Sequence, residues 1–460
     1  MPKVFDFYVT LDTLARFKLH THQERTNNMK ILSTKDTNFL TNMYRILKRG
    51  KLINETVEET VQAILRDVKD KGDKAVIDYT EKYDKSRLTP SVLKVSEKEI
   101  EEAFNSVNNS DIEVLKFAAG RIERFHKKQI QNSWITTEEE GIILGQMINP
   151  IEKVGIYIPG GKASYPSSVL MNAIPAGVAG VQEVVMATPA SNGKISPYVL
   201  IAASIAGVNS IFKVGGAQAI AALAYGTKTI PKVDKIVGPG NAYVSCAKRL
   251  VFGEVDIDMI AGPSELLIIS DGSGSPAFVA ADLLSQAEHD EMSASFLITD
   301  SYDFAKKVET ELYKRLESLE RKVIAKSSIE NNGAIIITKD INESIELANR
   351  IAPEHLELAI ERPFEILSQI RNAGAIFLGH TSPVAVGDYL AGPNHTLPTG
   401  GTARFNSPLS VDDFIKKSSI VSFSQKALKR VGQNTIQIAR MEGLEAHAQS
   451  VEQRVKEDES

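Results

Sequence analysis

From about residue 54 to Ile130, apolar residues recur every three to four positions. Val57, Val61, Ile64, Leu65 and Val68 form one such stripe, the pattern of helices that bury one face. Ser96-Glu-Lys-Glu99 reads as a capping box ahead of Ile100 and Phe104, because each side chain can satisfy a free backbone N–H near the other. A helix rich in Lys, Arg and Glu follows from Ser110, and its charges read as a solvated face. At about Gly141 the texture changes. Short apolar runs at Val154–Ile158, Val184–Ala187, Ile211–Val214, Lys235–Val237, Leu266–Ile269, Ala294–Ile298, Ala334–Ile337 and Ala375–Leu378 read as strands. Helical segments lie between them, at Ser167–Ala179, Pro197–Ala206, Ala217–Tyr225, Pro276–Ala287, Tyr302–Leu319 and Ile341–Ile351. Such alternation, with strands apolar along their whole length, predicts parallel sheets covered on both faces. Eight such runs exceed one comfortable sheet, so two α/β domains are expected. Beyond His380 the chain is rich in Gly, Pro and Thr as far as Gly401, and Leu428–Leu444 returns to helical periodicity.

Composition narrows the class without naming it. A hydrophobic share of 43% and a charged share of 24% are ordinary for a globular protein, and the net charge of −5 comes without a basic block. Nucleic acid is therefore not expected as the main partner. The one cysteine, Cys246, excludes an intrachain disulfide framework, a cysteine zinc ribbon and an iron–sulfur cluster, and points to the cytoplasm. No window reaches the ~18 uncharged apolar residues of a membrane span. Residues 1–28 carry broken apolar pieces without a signal-peptide pattern, and Met29 reads as a second plausible start. That extension is expected to be disordered.

Five of the eight histidines fall between His289 and His447, most of them beside an acid or amide. Imidazole next to carboxylate suits divalent metal binding and proton transfer near neutral pH. Gln286 and His289 stand three apart at a helix end, a spacing that puts both on one face. Pro353-Glu354-His355 reads as a bend that projects an acid and an imidazole from the end of an α/β unit. The stretch Gly387–Arg404 is an irregular loop holding Asp388, His395 and Arg404. Loops of that length in compact domains usually serve function. Four glycine turns, Tyr157–Gly161, Val214–Gln218, Val237–Asn241 and Ala261–Ser264, are read as following strands, where nucleotides and substrates bind in open sheets. Neither a Gly-x-Gly-x-x-Gly nor a Walker A sequence occurs. Cys246 has no base near it in sequence and reads as a buried, inert thiol.

In order along the chain, Val154–Gly161, Gly215–Ile220, Gly238–Tyr243, Ala261–Glu265, Ser285–His289, Ala352–Glu357 and Gly387–Arg404 resemble the signatures of the histidinol dehydrogenase family. The resemblance runs from about Ile31 to about Gln449. It implies an α/β fold of two incomplete Rossmann-like domains with parallel sheets, a helical N-terminal segment, and a C-terminal helical tail exchanged in a homodimer. The implied layout is a helical segment over 29–150 joining the first domain, and an NAD-side domain over 151–262. The first domain then continues over 263–385 with zinc and acid/base residues, and 386–460 supplies the active-site loop and dimerisation tail. The resemblance further implies oxidation of L-histidinol through the aldehyde to L-histidine with NAD and one zinc ion per subunit. By the same resemblance, Gln286, His289, Asp388 and His447 are the zinc ligands, His447 coming from the partner chain. Glu354 and His355 would be the acid/base pair. Tyr157, Gln218 and Asn241 would contact NAD. Ser264, His395 and Glu442 would hold substrate together with His355 and the four zinc ligands.

Overall fold

The computed structural model describes residues 28–47, 55–160 and 164–456. The expected extension over 1–28 thus lies outside the described residues except for Asn28, as does Gly161 of the first glycine turn. In chain order the strands are β1 (Lys30–Ser33), β2 (Trp134–Thr136), β3 (Ile142–Pro150), β4 (Lys153–Tyr157), β5 (Glu183–Ala187), β6 (Ser210–Phe212) and β7 (Lys235–Val237). They continue as β8 (Asp256–Ile257), β9 (Glu265–Ser270), β10 (Ala294–Thr299), β11 (Ala334–Ile337), β12 (His355–Ala359), β13 (Ala375–Leu378) and β14 (Ile415–Phe423). Two parallel sheets result, one ordered β6-β5-β4-β7-β8 and the other β1-β11-β10-β9-β12-β13. A third, antiparallel sheet runs β14-β3-β2.

The uninterrupted apolar runs explain the layering. Leu266, Ile268 and Leu297 enter a core under the helices Pro276–Ala287 and Tyr302–Leu316, whereas Leu267, Ile269, Phe296 and Ile298 enter a second core with Ala348 and Ile351. Successive side chains point to opposite faces, so a strand buried on both sides needs apolar residues throughout. Val184 and Met186 divide from Val185 and Ala187 in the same way in the smaller sheet. Each fully buried Val, Leu, Ile, Met or Phe among them contributes roughly 1.5–3 kcal/mol of transfer free energy.

Of residues 29–150, strand β1 enters the six-stranded sheet. Helix Phe39–Leu47 packs on the same sheet through Phe39, Met43 and Ile46, and the later helices pack elsewhere. Glu55–Lys71 and Asp73–Asp84 lie on Gly216–Tyr225, Glu97–Ser106 on Pro197–Ile205, and Asn109–His126 on Pro166–Ala179, all around the five-stranded sheet. The capping box at Ser96 and Glu99 is formed. At the other end of the chain, helices Gln425–Met441 and Glu445–Lys456 pack on each other through Ile436, Ala439, Ala448 and Val451. They are tied to the Ile142–Phe423 end of the antiparallel β3–β14 ladder, where Ser424 N donates to Gly141 O at 2.7 Å and Arg430 to Glu140 O at 2.8 Å. This arm leaves Trp134, Ile135, Met147, Val421, Ile438 and Met441 exposed.

Two local features differ from the sequence reading. The bend at Pro353 leads into a strand absent from the sequence reading: helix Ile341–Ile351 stops at Ala352, which takes φ 53°, and His355 begins strand β12. Proline disfavours the helical region for the residue before it, and Glu357 within the buried run His-Leu-Glu-Leu-Ala conceals the strand pattern. The turn Ala261–Ser264 leads into β9 rather than following a long strand. In consequence the larger sheet presents the amino ends of β9 and β12 to the carboxyl ends of β4 and β7, and a cleft lies between the two sheets.

Candidate active site

A cleft of about 570 Å³ is walled on one side by Pro239, Gly240 and Asn241 after β7 and on the other by Ser264, Glu354 and His355 at the starts of β9 and β12. Gln286 and His289 line it from the end of helix Pro276–Ala287, and Asp388 and His395 from the long loop. The structure therefore brings together eight sequence-predicted residues that are far apart along the chain.

Glu354 and His355 both grip the peptide groups of one residue. Glu265 N donates to Glu354 Oε2 at 2.7 Å, and His355 Nδ1 lies 3.0 Å from Glu265 O. A neutral imidazole in that position donates its Nδ1–H to the carbonyl and leaves Nε2 as the free base. Nε2 faces Asp388 Oδ1 at 3.5 Å. Both side chains are nearly sealed from solvent. Burial pushes the Glu354 carboxyl up to about 7, with His355 limiting the rise. Burial also works against charge on His355, but the Glu354 carboxylate and Asp388 outweigh it and lift the imidazole to about 9. Burial would raise Asp388 as well, yet its contact with His355 holds it below the usual carboxylate range. Such an acid–imidazole pair, closed off from water, is equipped for proton transfer.

The loop is shaped to deliver Asp388. Residues Gly387–Ala391 form one wide turn of π-helix, a form that often marks functional sites. His395 Nδ1 lies 2.8 Å from the carbonyl oxygen of Asp388, and His395 Nε2 lies 3.3 Å from Ser168 Oγ. Ser168 sits in the first turn of helix Pro166–Ala179 and lines the cleft. Sequence reading placed it inside a helix and missed it, because the only signal was a polar pair at the start of an apolar helix. Arg404 is not a cleft residue. Its guanidinium bonds the carbonyls of Asn349 and Arg350 at the end of helix Ile341–Ile351.

Tyr157 and Gln218 stand apart from the cleft-lining set but beside each other. Gly216 N donates to Tyr157 Oη at 3.1 Å, and a Cβ on Gly216 would lie 2.7 Å from Gln218 Oε1. Both side chains are buried at the carboxyl ends of β4 and β6. Asn241 Oδ1 caps helix Ala242–Val251 by accepting from Tyr243 N and Val244 N at 3.0 and 3.1 Å. Glu442 and His447 are exposed on the C-terminal arm and do not line the cleft of their own chain. Cys246 is fully buried.

Facing strand ends of two parallel sheets, a buried acid–imidazole pair and glycine turns opposite it make this cleft the candidate active site of an α/β enzyme. The histidinol dehydrogenase family model matches residues 47–455. The chain is 58% identical over 429 residues to the histidinol dehydrogenase of Geobacter sulfurreducens, covering 93% of this chain and all of that one. It is 54% identical over 409 residues to that of Aquifex aeolicus, covering 89% and 95%. The crystal structure of histidinol dehydrogenase from Elizabethkingia anophelis superimposes with a TM-score of 0.89 at 39% identity, covering 96% of this chain and all of that chain. The chain belongs to the histidinol dehydrogenase family, the NAD-dependent oxidoreductases that make histidine from histidinol. Among the described residues no helix is long and apolar enough to cross a membrane.

Proposed function

We propose that this cleft carries out both oxidations of L-histidinol, with Glu354 and His355 as acid/base groups and zinc held by Gln286, His289, Asp388 and a His447 supplied by a second copy of the chain. The observation that carries the reading is the double grip on Glu265, which fixes both groups and turns His355 Nε2 toward Asp388. His355 takes the hydroxyl proton as hydride leaves the carbinol carbon, giving the aldehyde. Glu354 then takes a proton from water as its oxygen adds to the aldehyde carbon, and loss of a second hydride gives the acid. When bound, zinc would supply Lewis acidity toward the imidazole and amine of the substrate, and NAD+ would supply the hydride acceptor.

The residues present fit the metal. Gln286 is 2% exposed and shares the cleft with His289 and Asp388, which gives one amide oxygen, one imidazole and one carboxylate. Zinc accepts nitrogen and oxygen donors and keeps an open position in catalytic sites. Among the described residues no three His, Cys, Asp or Glu side chains gather as a ready site within one chain. A ligand set containing an amide and completed from a partner accounts for that. The exposed arm bearing Glu442 and His447, with its uncovered apolar residues, suits exchange in a homodimer. Ser264, His395 and Glu442 would hold the substrate, and Asn241, Tyr157 and Gln218 the cofactor. A buried lone Cys246 fits a reducing cytoplasmic setting. The test is the yield of reduced nicotinamide per histidinol, before and after chelation and zinc replacement. Two equivalents, lost with the metal and regained with it, are expected; full turnover in fully zinc-free protein would overturn the metal assignment.

A further inference from the structure

We infer that the buried ion pair of Lys248 and Asp258 positions the turn Gly238–Asn241 for cofactor binding; the inference rests on the reading that this turn holds NAD. The two side chains are 2% and 1% exposed and bond each other. Neither lines the cleft, so their effect has to pass through what they hold. That is Gly238. Lys248 Nζ donates to Gly238 O at 2.9 Å, and Gly238 N donates to Asp258 Oδ2 at 2.8 Å. Asp258 Oδ1 also accepts from Met259 N at 2.6 Å.

Both backbone polar groups of one glycine residue are thus taken by one ion pair. From the opposite side Tyr157 crowds the same residue: a Cβ on Gly238 would lie 2.2 Å from Tyr157 O, and Gly238 takes φ +110°. The turn is held between the two. The next three residues, Pro239, Gly240 and Asn241, line the cleft. Asn241 caps the helix that carries Lys248, so the pair ties the start of the turn to the helix at its end. An apolar pair would fill the same space without bonding the peptide, and charge-assisted hydrogen bonds are more directional than neutral ones. This pair therefore sets where Asn241 stands relative to the cleft.

The test is steady-state kinetics of the zinc-loaded enzyme carrying Lys248→Met with Asp258→Asn, which leaves no unpaired buried charge and keeps an acceptor for Gly238 N. The KM for NAD+ is expected to rise about tenfold while the KM for histidinol and kcat at saturating NAD+ stay within about twofold. Far-UV circular dichroism and the unfolding midpoint show that the variant is folded. Asn241→Ala, measured alongside, tests the cofactor reading itself. If Asn241→Ala raises the KM for NAD+ and the double variant only lowers the unfolding midpoint, the pair is structural and the inference is overturned while the cofactor site stands. If neither variant changes the KM for NAD+, the cofactor reading fails and the inference with it.

Discussion

His355 Nε2 lies 3.5 Å from Asp388 Oδ1, across the join between the larger sheet and the long loop. Its other nitrogen is fixed on Glu265 O, so the ring has one orientation and one basic face. Replacing His355 by Asn keeps a polar side chain but removes the base. Histidinol oxidation should then fall by roughly a hundredfold or more, with KM little changed. Unaltered kcat would show that the hydroxyl proton leaves by another route.

Glu354→Gln separates the two half-reactions. The amide cannot take a proton from water, so oxidation of the aldehyde should fall about a hundredfold or more and alcohol oxidation much less. Rates measured from histidinal and from histidinol distinguish the steps. Equal loss in both would remove Glu354 as the group that activates water.

Ser168→Ala removes the hydroxyl 3.3 Å from His395 Nε2. His395 keeps its bond to the Asp388 carbonyl but loses the second anchor of its ring. The KM for histidinol is expected to rise by about three- to tenfold with kcat changed less. An unchanged KM would show that His395 does not depend on Ser168.

A pH effect on stability follows from Glu357, which is 3% exposed on strand β12. Burial, reinforced by Asp282, pushes its carboxyl up from 4.5 to about 8. The folded chain therefore holds this proton more tightly than the unfolded chain, and the group's contribution falls as pH rises from about 4.5 to about 8. Glu357→Gln should flatten that slope and raise the unfolding midpoint more near the upper end of the window than near the lower. Parallel midpoint-versus-pH curves for parent and variant would contradict it.

Much of the layering was legible because strands buried on both faces leave long apolar runs, as in β9 and β10. Strand β12 was not, since Glu357 interrupts its apolar pattern and Pro353 read only as a bend. The edge strands β2 and β14 were missed for a related reason: Trp134–Thr136 and Ile415–Phe423 lie on a sheet with largely exposed faces. The site residues came from their chemistry and from family resemblance, and the cleft gathers Asn241, Ser264, Gln286, His289, Glu354, His355, Asp388 and His395. That the larger sheet presents its amino ends was not legible, because the reading placed ligands at carboxyl ends. Ser168 offered only a polar pair at the start of an apolar helix, and Lys248 lacked any sequence signal. Their roles depend on contacts across 227 and 10 positions, and burial of Lys248 appears only in the fold.

The composite site is tested most directly by mixing His289→Ala, which spoils the cleft, with His447→Ala, which spoils the arm. Each alone should be inactive and deficient in zinc. After subunit exchange about half the dimers are hybrids with one intact site of two, so activity should return to about a quarter of the parent value. If the mixture stays as inactive as its parts although mass spectrometry shows hybrid dimers, His447 does not complete the partner's cleft.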